Sequence, residues 1–247
     1  MWVALAVFAC LSGASLAMMH FYPRLSERHR DEETNTVVRL IANVFVVMTS
    51  LAFGLLINSA KDTFQALDTQ VREFATSIVV LDRTLRSFGA EAQQARKHLA
   101  AYVRESVERP ARSPDALERR HSTAARLLDD LGTALSALDL PDRHRDALTD
   151  ARQQYQALTQ QRWRLVEQSE GTIPAPLIAM LVAWLTLIYA SFGYRAPRNP
   201  MVVIMFLASS LLIAASVYLV LDMDVPFSGP IQISDEPLRR ALAEIQP

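Results

Sequence analysis

The chain has 247 residues, with 25 lysine and arginine residues against 26 acidic residues, and 51% of its residues are hydrophobic. The net charge is −1, and no run of basic residues with interleaved aromatic residues occurs, so we expect no nucleic-acid partner. Only seven glycines occur, and helix-forming residues dominate the polar middle of the chain, which favours an all-α fold. Cys10 is the single cysteine, which excludes a disulfide within the chain.

Four apolar runs without Asp, Glu, Lys or Arg stand in two pairs, one toward each end of the chain. Each run has about the 20 residues that a helix needs to cross a bilayer. The runs are Trp2–Tyr22, Leu40–Ser59, Ile173–Tyr194 and Met201–Leu221. We therefore predict an all-α integral membrane protein with four transmembrane helices in two pairs and an antiparallel helical bundle inserted between spans 2 and 3.

The first run is predicted to be a retained membrane helix. A cleaved signal peptide would need a basic start and a shorter apolar core, and this start has neither. The expected organisation places spans 1 and 2 in residues 1–59 and a water-exposed bundle, continuous with span 2, in 60–172. Spans 3 and 4 follow in 173–222, and a turn with a short amphipathic helix in 223–247.

The short loops predict the orientation in the membrane. The hairpin between spans 1 and 2 carries Arg24, Arg28 and Arg30, and the hairpin between spans 3 and 4 carries Arg195 and Arg198. Basic residues in short loops favour the cytoplasmic side. Both hairpins are therefore predicted to be cytoplasmic, and the bundle and both termini to lie outside the cytoplasm.

The second span carries a narrow polar stripe, made of polar or small side chains that fall within about 100° of one another at about 100° per residue. The polar stripe comprises Arg39, Asn43, Ser50, Gly54 and Asn58. Helix packing is one interpretation, because small and polar residues are favoured between membrane helices. The other is the lining of a pore, in which amides replace part of an ion's hydration shell and Arg39 attracts anions at one mouth.

Beyond the second span, apolar residues recur at alternating spacings of three and four, which predicts one long helix that ends near Gly89. This packing stripe comprises Phe64, Leu67, Val71, Phe74, Ile78, Leu81, Leu85 and Phe88. Its apolar face is interpreted either as the core of a bundle within one chain or as a seam between subunits.

Three further helices are predicted before the third span. The first covers about 90–108, and Ser113-Pro114 opens the second, which runs to about 138. Pro141 opens the last of them. Near the end of the chain, residues 231–234 are expected to be extended. A short amphipathic helix after them is expected to fold back on the bundle or to lie at the membrane interface.

Two acidic residues end the fourth span. Asp222 and Asp224 are candidate ligands for a divalent cation, together with carbonyl groups of the following turn. The favoured alternative is an ion pair with Arg162 or Arg164, which we expect at the same face of the membrane. Trp163 beside them is predicted to be an interfacial anchor.

No enzyme signature and no cofactor motif occurs, and the five histidines are scattered without metal-binding spacing. We therefore expect neither catalysis nor a bound cofactor.

Several segments resemble those of one bacterial family. They are Arg162–Ser169, Ile173-Pro174, Ser191–Gly193, Ala196–Asn199 and Asp224–Gly229. These resemble the bacterial bestrophin-like membrane family, also called DUF4239. The resemblance implies a four-span protein of the bacterial inner membrane with a helical insert between the second and third spans, and no established activity.

The family's label implies a distant likeness to bestrophin anion channels. Those assemble as rings in which the second span of each subunit lines the pore, and their helical domain is cytoplasmic, opposite to the orientation predicted above. Only Asp222 and Asp224 match their acidic calcium-binding cluster. We therefore predict a homo-oligomeric, channel-like membrane protein that passes ions. The alternative is a membrane-anchored helical sensor or scaffold for a partner protein or ligand, with Tyr102, Tyr155 and Trp163 as candidate pocket residues.

Overall fold

The computed structural model describes residues 2–24, 32–108, 114–139, 141, 144–167, 173–194, 196–225 and 230–246. Over these ranges the chain forms eight α-helices and no strand, so the all-α prediction is confirmed. The helices are α1 (Trp2–Phe21), α2 (Glu32–Arg86), α3 (Gln93–Glu108), α4 (Pro114–Ser136), α5 (Arg145–Glu167), α6 (Ala175–Gly193), α7 (Pro200–Asp224) and α8 (Glu236–Ile245). Short 3₁₀ turns occupy Tyr22–Arg24 and Gly89–Ala92.

All four predicted spans are helical, and α1, α2, α6 and α7 are each long and apolar enough to cross a membrane. Helix α2 has 55 residues, which at 1.5 Å per residue makes it about 80 Å long, far more than the ~30 Å of hydrocarbon. It is one continuous helix that carries both the second span and all of the packing stripe except Phe88, which lies just beyond its end.

The helix ends differ from the predictions by a few residues. Helix α2 begins at Glu32, inside the predicted hairpin, because Glu32 and Glu33 suit the positive end of the helix dipole. It ends at Arg86, and Gly89 follows with a φ of 68°, a left-handed conformation that glycine adopts readily. The predicted roles of Arg28, Arg30, Ser113 and Arg195 lie outside the described residues.

The chain divides into two compact units, and the first contains the membrane spans. This membrane unit comprises Met1–Thr63 and Thr172–Asp224. Helix α1 packs against both α6 and α7. The buried core consists of Val7, Leu11, Leu181, Leu185, Tyr189, Ala214 and Val217, with Phe53 and Leu56 of α2 packed against it.

Helices α1 and α6 approach each other closely at small residues. A Cβ atom on Gly193 would lie 2.2 Å from the carbonyl oxygen of Ser15, so only glycine fits at this position. Ser12 and Ser15 are buried, and the Ser12 hydroxyl donates to the carbonyl of Phe8 at 2.6 Å. Small residues at a helix interface let the backbones meet, which is the usual way for membrane helices to pack.

The second compact unit, the helical unit, comprises Phe64–Gly171 and Val225–Pro247. Helix α3 packs against α4 and α8, and α4 packs against α5. Seven residues of the packing stripe are buried in the core of this unit, and Phe64 is half-buried against it. The buried side of α8 consists of Leu238, Ala241 and Ile245, so the amphipathic C-terminal helix lies on the bundle.

A buried carboxylate joins three helices of the helical unit. Asp82 of α2 has a side chain only 2% exposed, and it accepts hydrogen bonds from Arg86 Nε at 2.7 Å and Arg96 Nε at 2.8 Å. The same two guanidinium groups donate to the last carbonyls of α8, at Glu244 and Ile245. Cations stabilise the carbonyl end of a helix, so the Asp82 cluster fixes the end of α8.

Candidate functional site

All five residues of the polar stripe are exposed in the single chain. Helix α2 uses a different face inside the membrane unit, where Phe53 and Leu56 contact the core and Ala42 and Thr49 are buried. At 100° per residue, this inner face lies about a third of a turn from the polar stripe. The chain's own helices therefore leave the polar stripe uncovered.

Two members of the polar stripe have local hydrogen-bond partners. The Ser50 hydroxyl donates to the carbonyl of Val46 at 2.8 Å, one turn earlier in α2. The Asn58 amide nitrogen donates to Asp62 Oδ2 at 2.9 Å, again within the same helix. Neither bond is made to another helix, so the polar groups remain on the free surface of α2.

The other three members have no such partner in the described part of the chain. Asn43 and Arg39 are exposed. A Cβ atom built on Gly54 would find no atom within 4 Å. The described helices of the same chain therefore do not pack on the polar stripe, and both interpretations, helix packing between subunits and a pore lining, stay predictions. The same groups remain available to water or to another molecule.

Much of the rest of α2 in the membrane unit is also uncovered. The most apolar 18-residue stretch of α2 is less buried than the most apolar stretch of each of the other three spans. Exposed residues on this stretch include Leu40, Val44, Val47, Leu51 and Leu55. At about 100° per residue, Leu40 and Val47 fall on the same face as the polar stripe, and Val44, Leu51 and Leu55 lie on the neighbouring face.

Asp222 and Asp224 lie at the end of α7, and both are buried. Asp224 Oδ2 accepts a hydrogen bond from the backbone N–H of Ile173 at 3.0 Å, which ties the end of the fourth span to the start of the third. Within the described residues, no group of three or more His, Cys, Asp or Glu side chains is arranged to hold a metal ion. The cation site therefore stays a prediction.

Arg162, Trp163 and Arg164 follow one another near the end of α5. The Arg162 guanidinium is buried and lies 5.6 Å from the centre of the Trp163 ring, within the range of a cation–π contact. The Trp163 side chain is 60% exposed and Arg164 is exposed, so both are available to an interface. The ion pair of Asp222 or Asp224 with one of these arginines stays a prediction.

The candidate pocket residues of the sensor interpretation occupy three different environments. Tyr102 is buried beside Phe74, with ring centres 6.3 Å apart. Tyr155 is half-buried and its hydroxyl donates to the carbonyl of Leu128 at 3.1 Å, while Trp163 is exposed. Packing and a hydrogen bond within the bundle account for the two tyrosines.

Sequence reasoning missed the Asp82 cluster. The available signal was an aspartate directly after a packing-stripe residue, Leu81, with an arginine four residues later. A second Asp–Arg pair on the same helix is exposed. There the hydrogen bond from Arg72 to Asp68, 2.9 Å long, raises the pKa of the Arg72 guanidinium above its ordinary value. Both pairs have the same spacing, so only tertiary structure distinguishes them.

Comparison with known proteins identifies the family. The family model for the bestrophin-like domain matches residues 9–238. A crystal structure of a mutated bacterial bestrophin homologue from Klebsiella pneumoniae is 13% identical and covers 98% of this chain and 97% of its own, with a TM-score of 0.67. A mutated membrane protein is likewise 13% identical at the same coverage, with a TM-score of 0.66.

A second mutant of the Klebsiella pneumoniae homologue is 12% identical and covers the same shares of both chains, with a TM-score of 0.60. At these identities the likeness establishes the fold. No curated protein matches the chain. The four apolar helices and the match over nearly the whole length agree that this is a multi-pass membrane protein, and the chain belongs to the bestrophin-like family.

Proposed function

We propose that the chain assembles as a homo-oligomeric ion channel or channel-like protein in which the second spans surround a conduction path. The exposed polar stripe of α2 carries this proposal. Lipid cannot satisfy polar groups at membrane depth, so such groups face protein or water. Because the chain's own helices do not cover the polar stripe, another subunit and an aqueous path are the environments that suit it.

The chemistry of the polar stripe favours anions. Asn43 presents an amide group that would replace part of an ion's hydration shell, and Asn58 has one amide N–H left beside its bond to Asp62. Ser50 and Gly54 keep the helix surface narrow between them. Arg39 adds a positive charge at one end. The exposed apolar residues of α2 on the face beside the polar stripe would pack against neighbouring subunits. The family membership supports this architecture.

Ion flux through reconstituted protein tests the proposal. We expect the purified chain to conduct chloride in liposomes and Asn43→Leu to reduce the flux to near background, because leucine offers no polar group to a partly dehydrated ion. Val44→Leu is the matched control, since Val44 is exposed on the same turn but lies off the polar stripe. No flux from the wild-type protein, or equal loss in both variants, would overturn the proposal.

The sensor or scaffold remains the second candidate, and the oligomeric state separates it from the channel. One subunit with four spans cannot enclose a pore, so the channel requires an oligomer in mild detergent or nanodiscs. A monomer without flux would favour a membrane-anchored module that acts through a partner protein.

We further propose that the protein lies in the inner membrane of a bacterial cell, with both hairpins facing the cytoplasm. The helical unit and both termini then lie on the other side of the membrane. Cysteine labelling in intact cells tests this orientation after Cys10→Ser removes the native thiol. Arg152→Cys, at an exposed position of α5, should react with an impermeant maleimide. Asn199→Cys, in the second hairpin, should react only after permeabilisation. The reverse pattern would place the helical unit in the cytoplasm.

A further inference from the structure

Two arginines from different hairpins meet on one oxygen atom. Arg24 Nη1 and Arg198 Nη2 each donate a hydrogen bond to the carbonyl oxygen of His20, both at 3.0 Å. Because both nitrogens lie 3.0 Å from the same oxygen, they are at most about 6 Å apart, a separation at which like charges repel. In water that repulsion is only about 0.7 kcal/mol, and an interaction with negative charge would more than offset it.

Capping of α1 supplies only part of that interaction. His20 lies in the last turn of α1, where cations stabilise the free carbonyls of a helix. Each guanidinium has five N–H donors, and the His20 carbonyl takes one donor from each. In the described part of the chain neither guanidinium has another acceptor, and both side chains are exposed. An oxyanion between them would take several of the remaining donors.

An open apolar depression of the surface, called the cavity below, is lined by Arg198 of this pair. It has a volume of about 710 Å³ and is bordered by His20 and Arg198. Its apolar lining comes from two helices and includes Leu16, Met19 and Phe21 of α1 and Val203 of α7. All of these residues lie in the last turns of α1 or the first turn of α7, where the spans end. Charge and apolar space are therefore adjacent at the depth of lipid headgroups.

We propose that this site binds an anionic phospholipid, with the phosphate held between Arg24 and Arg198 and the upper part of an acyl chain in the cavity. A phosphate group fits the two guanidinium groups because arginine binds oxyanions through paired N–H donors. Free phosphate shares that chemistry but would leave the apolar cavity without an occupant. Basic pockets between membrane helices are suited to anionic headgroups, and this one lies between α1 and the hairpin before α7.

Native mass spectrometry of the full chain, released from mixed vesicles of phosphatidylglycerol and phosphatidylcholine, tests the site. We expect the wild type to retain phosphatidylglycerol preferentially. Each arginine near a membrane surface contributes about fivefold to anionic lipid binding, so Arg24→Gln with Arg198→Gln should lower the preference about 25-fold. Arg104→Gln with Arg152→Gln, at exposed positions of α3 and α5, removes the same number of charges elsewhere and should change nothing.

A cavity-filling variant distinguishes lipid from free phosphate. Ala17 lines the cavity, so Ala17→Leu should reduce retention of phosphatidylglycerol while both arginines remain. Binding of inorganic phosphate, measured by calorimetry, should be unaffected by the same change. Unchanged retention of phosphatidylglycerol by Ala17→Leu would show that no acyl chain occupies the cavity and would overturn the proposal.

A conservative variant controls for loss of folding. Arg24→Lys with Arg198→Lys keeps both charges, so it should retain most of the preference for phosphatidylglycerol even if the cap of α1 is weakened. Equal retention of the two lipids by the wild type would refute the site. So would the same loss of preference in the lysine and glutamine variants.

Discussion

Asp82→Asn removes the negative charge at the centre of the Asp82 cluster while keeping the shape of the side chain. The Asp82 carboxylate accepts one hydrogen bond at each oxygen, from Arg96 Nε at Oδ1 and from Arg86 Nε at Oδ2. An amide has only one acceptor oxygen, so its nitrogen would be placed against a guanidinium donor. The substitution therefore loses one bond, weakens the other and leaves two cations close together.

The expected cost follows from the exposure of the three side chains. A hydrogen bond to a charged group contributes about 1.5–3 kcal/mol, so two such bonds suggest about 3–6 kcal/mol. We expect a cost at the lower end of this range, because the side chains of Arg86 and Arg96 are 44% and 22% exposed. Water therefore replaces part of their interaction with Asp82. We therefore expect a loss of about 3 kcal/mol, or about 6–12 °C in melting temperature for a chain of this size.

Asp68→Asn is the matched control, because it breaks an Asp–Arg pair of the same spacing on the same helix. The Arg72 side chain is 62% exposed and that of Asp68 is 28% exposed, so this pair should contribute less than about 1 kcal/mol. Melting of the full chain in detergent measures both variants. Hydrogen exchange adds a local readout, since α8 should lose protection only in Asp82→Asn. Equal melting shifts in the two variants would refute the assignment of stability to burial of Asp82.

The remaining predictions concern close packing at three glycines and at Tyr155. Gly193→Ala should destabilise the membrane unit by about 2–3 kcal/mol, because its Cβ would overlap the carbonyl of Ser15. Gly13→Ala, also in a membrane helix but with open space at the Cβ, should be neutral or slightly stabilising in the same melting assay. Gly132→Ala should displace the Tyr155 side chain, whose hydroxyl oxygen would lie 2.5 Å from the added Cβ, and lower the melting temperature by several degrees. Tyr155→Phe should lower the free energy of unfolding by about 1 kcal/mol, because it loses the hydrogen bond to the carbonyl of Leu128. If unfolding monitored by fluorescence shows no change in Gly132→Ala or in Tyr155→Phe, the packing of Tyr155 against α4 is contradicted.

The spans were predictable because hydrophobicity is a local property. Uncharged runs of about 20 residues identify membrane helices without reference to the rest of the chain. The packing stripe was predictable for a similar reason, since its spacing of three and four residues defines one face of a helix. The approximate end of α2 was also predictable, because many helices are followed by a glycine in the left-handed conformation, which Gly89 adopts here.

Features that depend on distant residues were not predictable. The Asp82 cluster joins α2 to Arg96 and to the carbonyls of α8, more than 140 residues away along the chain. The fit of Gly193 against Ser15 likewise requires two helices from opposite ends of the sequence. For the polar stripe, the sequence predicts which residues share a face of α2. Only the packed membrane unit reveals that this face is left uncovered.

The accessibility of α2 to water tests the proposed conduction path most directly. In a Cys10→Ser background, single cysteines are placed along α2 in the assembled protein and treated with a small, water-soluble thiol reagent. We expect rapid reaction for Asn43→Cys and Gly54→Cys on the polar stripe, and little for Leu51→Cys and Leu55→Cys, which the proposal places against lipid or neighbouring subunits. Uniform protection of all four positions, or faster reaction at the two leucine positions, would contradict an aqueous path along the polar stripe.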